Sequence, residues 1–110
     1  MRLSSYGTEG ALVVRVEEER IDAAVAIQFK DKMRDIATGG RVILDLGQVA
    51  FVDSSGLGAI VAVMKVLAPS GKLELAALTP NVHKVFHMTR MDSVFTIHAE
   101  APDQGQGHAA

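Results

Sequence analysis

The sequence predicts a single α/β domain with a mixed, mostly parallel β-sheet and an antiparallel strand at its N-terminal edge. Three observations lead there. Short β-branched runs such as "LVVRV" and "RVILDL" alternate with longer stretches of helical periodicity. Glycine and proline punctuate the joins, in "TGG" and "APSG". Successive strand–helix–strand units pair their strands in parallel, and 110 residues suit one such domain.

Taken in order, Leu3–Tyr6 is a weak strand that can pair with Leu12–Val16 across "GTEG". In "EEERIDAA", Glu17–Glu19 read as a solvated edge and Asp22 as the N-cap of a first helix. Val25, Phe29, Met33 and Ile36 form its inner face, and Thr38–Gly40 ends it. Arg41–Leu46 is the best strand, its apolar continuity implying cover on both faces. A second helix follows "GQVAFVD", with Leu57, Ile60, Val61 and Met64 inward, and stops at Pro69 and Gly71. Leu73–Leu78 is a strand. Thr79 caps a third helix with Pro80 in its first position, and Val82, Val85, Phe86 and Thr89 face inward. Ser93–Ile97 is the last strand. The domain spans 1–98, and 99–110 ("APDQGQGHAA" in the main) reads as a flexible tail.

Composition excludes several classes of function. There is no cysteine, so disulfides, zinc ribbons and thiol catalysis are out. A formal charge of -2 without a basic patch argues against nucleic-acid binding. The longest apolar run, "GLGAIVAVM", falls short of the ~18 residues a membrane span needs and "MRLSSYGTEG" has no signal-peptide core. A cytoplasmic protein with no direct membrane insertion is the expectation.

The stretch "VDSSGLGAI" poses the functional question. Gly56 and Gly58 lie just inside a helix, where each costs about 1 kcal/mol against alanine. Strand ends that lead into helices are common ligand and partner sites in α/β folds. Asp53 or Ser54 can cap the helix. The helix start also tolerates a phosphate carried by, or bound at, the serines. A plain helix cap with a close-packed glycine is the structural alternative. No P-loop, dinucleotide fingerprint or nucleophile elbow is present. His83 and His87 share one helical face, but "KVF" between them is not a zincin spacing, and no metal site or cofactor is expected.

"FVDSSGLGAI" closely resembles the signature of bacterial anti-sigma factor antagonists, which are small STAS domains. "ERIDAAVAIQFKDKM", "VILDLGQVAFVDSSGLG" and "GKLELAALTPNVHKVFHMTRMDSVFTI" extend the likeness over Leu12 to Ile97. The resemblance implies a non-enzymatic regulator that switches partners. Unphosphorylated, such a protein binds an anti-sigma factor that is also a serine kinase, and so frees the sigma factor. Phosphorylation of the serine matching Ser54 releases the kinase, and a serine phosphatase restores the first state. ATP and magnesium belong to the kinase. Asp22, Asp53, Ser55, Gly56, Leu57 and Gly58 are implied to lie at the partner-binding surface. The alternative within the same fold is an unphosphorylated STAS subunit of a lipid or anion transport system.

Overall fold

In the computed structural model, residues 1–8, 10–36 and 39–103 are described. Strand β1 (Leu3–Thr8) pairs antiparallel with β2 (Ala11–Val16). From β2 the chain passes through a two-residue strand, β3 (Arg20–Ile21), into helix α1 (Ala26–Ile36). Then come β4 (Gly40–Asp45), a second two-residue strand β5 (Phe51–Val52), helix α2 (Ser54–Leu67) and β6 (Gly71–Ala76). Helix α3 (Pro80–Met88), a 3-10 turn (Met91–Ser93) and β7 (Ile97–His98) complete it. The main sheet has the order β1-β2-β4-β6-β7, with every pair after the first parallel. The predicted fold class is therefore the observed one.

This order explains where the helices lie. From β2 onward each crossover steps in the same direction across the sheet, so crossovers of one hand set every helix on the same face. There Val14, Val16, Val42, Leu44, Leu73 and Leu75 meet Phe29 and Met33 of α1, Ile60, Val63 and Leu67 of α2, and Val82 and Phe86 of α3.

The central strand is buried on both faces, as expected, but by different means. On the far face Ile43 packs only with Val13 and Ala76, flanked by Tyr6, Ala11 and Ala101. Ion pairs seal the rest. Arg41 donates through Nε and Nη2 to Glu74 at 2.7 and 3.0 Å, and His98 contacts the same carboxylate. Arg15 donates to Asp45 at 3.3 Å. Residues 99–103 run along this face, where the Tyr6 hydroxyl donates to the Pro102 carbonyl. The rest of the predicted tail, 104–110, lies outside the described residues, as do Glu9 of the first turn and Thr38.

Several local expectations change. Helix α1 starts at Ala26, not directly after Asp22, because Asp22 caps a preceding turn: its Oδ1 accepts from Ala24 N at 3.1 Å. Helix α1 ends at Ile36, and Gly39 and Gly40, at the start of β4, have positive φ. The buried face of α2 is Gly56, Ala59, Ile60, Val63 and Leu67, with Leu57, Val61 and Met64 at its margin. Strand β6 begins at Gly71 and stops at Ala76, where Ala77 turns left-handed. Thr79 stands at the N-cap of α3, but its hydroxyl donates to Val49 O at 2.7 Å instead of capping. Thr89 is exposed, its hydroxyl returned to Val85 O. Ser93–Phe95 is not strand: Phe95 turns inward to meet Phe86 edge-on at 5.9 Å, and only Ile97–His98 pairs with β6.

Glu74 is buried, and the Arg41 guanidinium hydrogen-bonded to it holds its pKa down to about 2, against the opposing effect of burial. A carboxyl depressed on folding stabilises the fold above its unfolded value, and this contribution is lost as pH falls through the folded one. Stability to urea should therefore fall between about pH 4.5 and pH 2. In Glu74→Gln that part of the slope should be absent, while the variant is less stable than wild type at neutral pH. An unchanged slope in Glu74→Gln would show that other carboxyls govern acid unfolding.

Candidate functional site

The site is built on two tripeptides of the same pattern, "RID" (20–22) and "FVD" (51–53). They form the small parallel sheet, with Arg20 beside Phe51 and Ile21 beside Val52. Glu19 O accepts from Ala50 N and Phe51 N, which starts the pairing. Ile21 and Val52 point into the core, with 0% and 2% exposure. Side chains alternate along a strand, so Arg20, Asp22, Phe51 and Asp53 share the outward face. The Arg20 guanidinium lies 4.3 Å from the Phe51 ring centre, and its Nε donates to Asp22 Oδ2 at 3.2 Å.

Asp53 joins this sheet to α2. It is the N-cap, extended in backbone, and its Oδ1 accepts from Gly56 N at 2.8 Å. Its Oδ2 accepts from Ala23 N at 3.3 Å, and its own N–H donates to Ile21 O. One carboxylate thus ties the start of α2 to the turn before α1.

Gly56 is buried, and the reason is a close approach. A Cβ built there would lie 1.9 Å from Ile21 O and 2.7 Å from Ile21 C. Gly58, two residues further round the helix, is exposed, and nothing lies within 4 Å of a Cβ built on it. The two glycines therefore have different causes. One is required by packing inside the molecule, whereas the other leaves open surface.

Of the residues singled out from the sequence, Ser54, Ser55 and Gly58 are exposed, and Asp22, Asp53 and Leu57 are half-buried. All lie together at the start of α2 and the end of the small sheet; Gly56 lies beneath them. Among the described residues neither serine hydroxyl makes a hydrogen bond. Ser54 is the first residue of α2, so its hydroxyl stands free beside the capping carboxylate. The sequence reading missed Arg20 and Phe51. Their signal was the repeated apolar-Asp ending of "RID" and "FVD", which foretells two strands in register.

Elsewhere, His87 pairs with Asp92 at 2.8 Å and His83 is exposed. Among the described residues no cluster of His, Asp and Glu is arranged to hold a metal ion. No described helix is long and apolar enough to cross a membrane.

Fold and site together define a one-sided α/β domain with an exposed serine at the capped start of its central helix. The chain is a member of the STAS domain family, whose pattern matches residues 2–103. A Bordetella bronchiseptica protein with the provisional name anti-sigma factor antagonist BtrV is 34% identical over 105 residues, 88% of this chain and 85% of its own length. The fold is similar to that of the anti-sigma factor antagonist SpoIIAA in its unphosphorylated form (TM-score 0.69, 24% identity, 90% of each chain). The phosphorylated form of SpoIIAA, a Bacillus cell fate determinant, gives a TM-score of 0.61 at 21% identity, over 89% of this chain and 91% of that one. A sulfate transporter family protein from Wolinella succinogenes shares the fold at 14% identity (TM-score 0.71, 83% of this chain and 78% of that one).

The glycines provide a paired test. Gly56→Ala should destabilise the protein by about 3 kcal/mol, since backbone, not a flexible side chain, blocks the new methyl. Gly58→Ala should stabilise it by about 0.5–1 kcal/mol by raising helix propensity in open space. Urea midpoints of the two variants check both; equal effects would mean that the Ile21 contact does not set the helix position.

Proposed function

We propose that this chain is an anti-sigma factor antagonist whose binding is switched by phosphorylation of Ser54. The observation that carries the reading is the exposed, unengaged Ser54 hydroxyl on the first residue of a helix whose start is fixed by Asp53 and Gly56. Such a hydroxyl needs no rearrangement to enter another protein's active site. The BtrV relationship and the fold shared with SpoIIAA support the role.

In this reading the unphosphorylated surface of Asp22, Asp53, Ser55, Leu57 and Gly58 docks on the anti-sigma factor, and Gly56 sets its shape from beneath. The anti-sigma factor is also the serine kinase, and it brings ATP and magnesium. The Ser54 oxygen bonds to the γ-phosphorus of ATP, the bond to the departing ADP oxygen breaks, and a base of the kinase takes the hydroxyl proton. This chain supplies the acceptor only and performs no catalysis. Phosphoserine adds about -1.5 to -2 charges, next to Asp53 and near Asp22. At the helix start the protein itself tolerates that charge. Within a closed interface it is repelled by both carboxylates and must be desolvated, so the complex separates while both partners stay folded. A serine phosphatase resets the cycle, which takes place in the cytoplasm.

The test is site mapping on the protein recovered from its own cells, with phosphatase action blocked. Phosphate should be found on Ser54 and not on Ser55, at an occupancy that varies with growth condition. Ser54→Ala should remain bound to the co-purifying anti-sigma factor, whereas Ser54→Asp should bind at least ten-fold more weakly. Absence of phosphate in every condition, or co-purification with a membrane transporter in place of a kinase, overturns the reading.

A further inference from the structure

The outward face of the small sheet carries one cation and two carboxylates. The segments that build the site, "RIDAA" and "AFVDSSGLG", contain two carboxylates and a single cation, Arg20. That cation is held by Asp22 at 3.2 Å and stacked on the Phe51 ring. Its side chain is 60% exposed, and Phe51 is 40% exposed. Arg20 starts level with Phe51, three residues before Ser54, about 10 Å of extended chain. By reaching Asp22 it already leans along the strand toward the helix start, where Asp53 holds Ala23 N.

Resting on the phosphorylation reading above, we infer that Arg20 is the intramolecular receiver of the Ser54 phosphate, exchanging Asp22 for the phosphoryl oxygens once Ser54 is modified. The exchange is favourable for three reasons. A phosphate dianion offers more charge and more acceptor oxygens than a carboxylate, and a guanidinium binds it with two parallel donors. An exposed Arg–Asp pair contributes little, so little opposes its breaking. The Phe51 ring keeps the guanidinium plane from folding away onto other surface. Phosphorylation then alters three surface groups together: Ser54 gains charge, Arg20 is neutralised by it, and the Asp22 carboxylate is left without its cation. A partner that reads the Arg20–Asp22–Phe51 surface loses its contacts there as well as meeting the phosphate. Arg20 is thus a positioning residue of the switch.

The experiment uses the full chain with phosphoserine genetically encoded at position 54, followed by phosphorus NMR across pH. An unhindered phosphoserine loses its second proton near pH 6. Arg20→Ala should raise the midpoint by ~0.5–1 pH unit over the otherwise identical wild-type phosphoprotein, since an adjacent cation favours the dianion. Arg20→Lys should fall between them, and Asp22→Asn, which frees the guanidinium, should lie below wild type. The helix start acts equally on every variant, and Asp22→Asn is repeated in the Arg20→Ala background, where a smaller drop separates the freed guanidinium from the loss of the Asp22 charge itself. Phosphorylation should also move the Arg20 side-chain N–H resonance in the wild-type background. Equal midpoints for wild type and Arg20→Ala, or an Arg20 N–H unmoved by phosphorylation, overturn the inference. The encoded phosphate makes this result independent of whether cells modify Ser54, so failure here and failure of the site mapping are distinguishable.

Discussion

The contact on which the site depends is the one between the first turn of α2 and the carbonyl of Ile21. A Cβ on Gly56 would lie 1.9 Å from that oxygen, closer than any side chain permits, so glycine alone allows the helix to start where it does. Asp53 then locks the approach from above by accepting from Gly56 N and from Ala23 N. From this geometry follow the small sheet and the buried face of α2. Ala23 N, ahead of α1, donates to a carboxylate of another element, which ties the turn before α1 to the start of α2.

The main sheet accounts for where this site can be. With all helices on one face, strand ends and helix starts crowd together on one side of the molecule. The opposite face has no helix among the described residues, and its strands are closed there by charge pairs and a short length of chain. Glu74 and Asp45 are buried there, at 4% and 6% exposure, which is tolerable because each is paired with an arginine. In "RVILDL" the alternation of Val42 and Leu44 against Ile43 and Asp45 hides this difference. A buried ion pair and a helix make similar demands on a short strand.

Longer elements were legible because their period is. Phe29 and Met33, Val82 and Phe86, and the β-branched runs of β2 and β4 declared both the elements and their inner sides. In α2 the period failed. "GLGAIVAVM" is apolar all round, so only the Gly56 contact, which is tertiary, selects the buried face. Strands β3 and β5 are two residues each, too short for any alternation. Their pairing lay in the likeness of "RID" to "FVD", and with it the outward placing of Arg20 and Phe51. Phe95 was read as strand from its β-branched and aromatic neighbours, but its contact with Phe86 prevails over propensity. The site's position came from residue chemistry, Asp-Ser-Ser-Gly at a strand-to-helix join, and its meaning from the resemblance of that signature to a family.

The same geometry determines how a modification at Ser54 must act. A loop that changes shape on phosphorylation needs spare donors or acceptors to trade. Here both oxygens of Asp53 are engaged by backbone N–H groups, and Gly56 has no room to move toward Ile21. The base of the site is therefore committed before any phosphate arrives. What can still change lies nearer the surface: the exposed Ser54 hydroxyl and the Arg20–Asp22 ion pair. Change at this site is then a redistribution of charge over a fixed backbone. In the proposed switch such a signal would depend on charge and salt and would leave the fold intact.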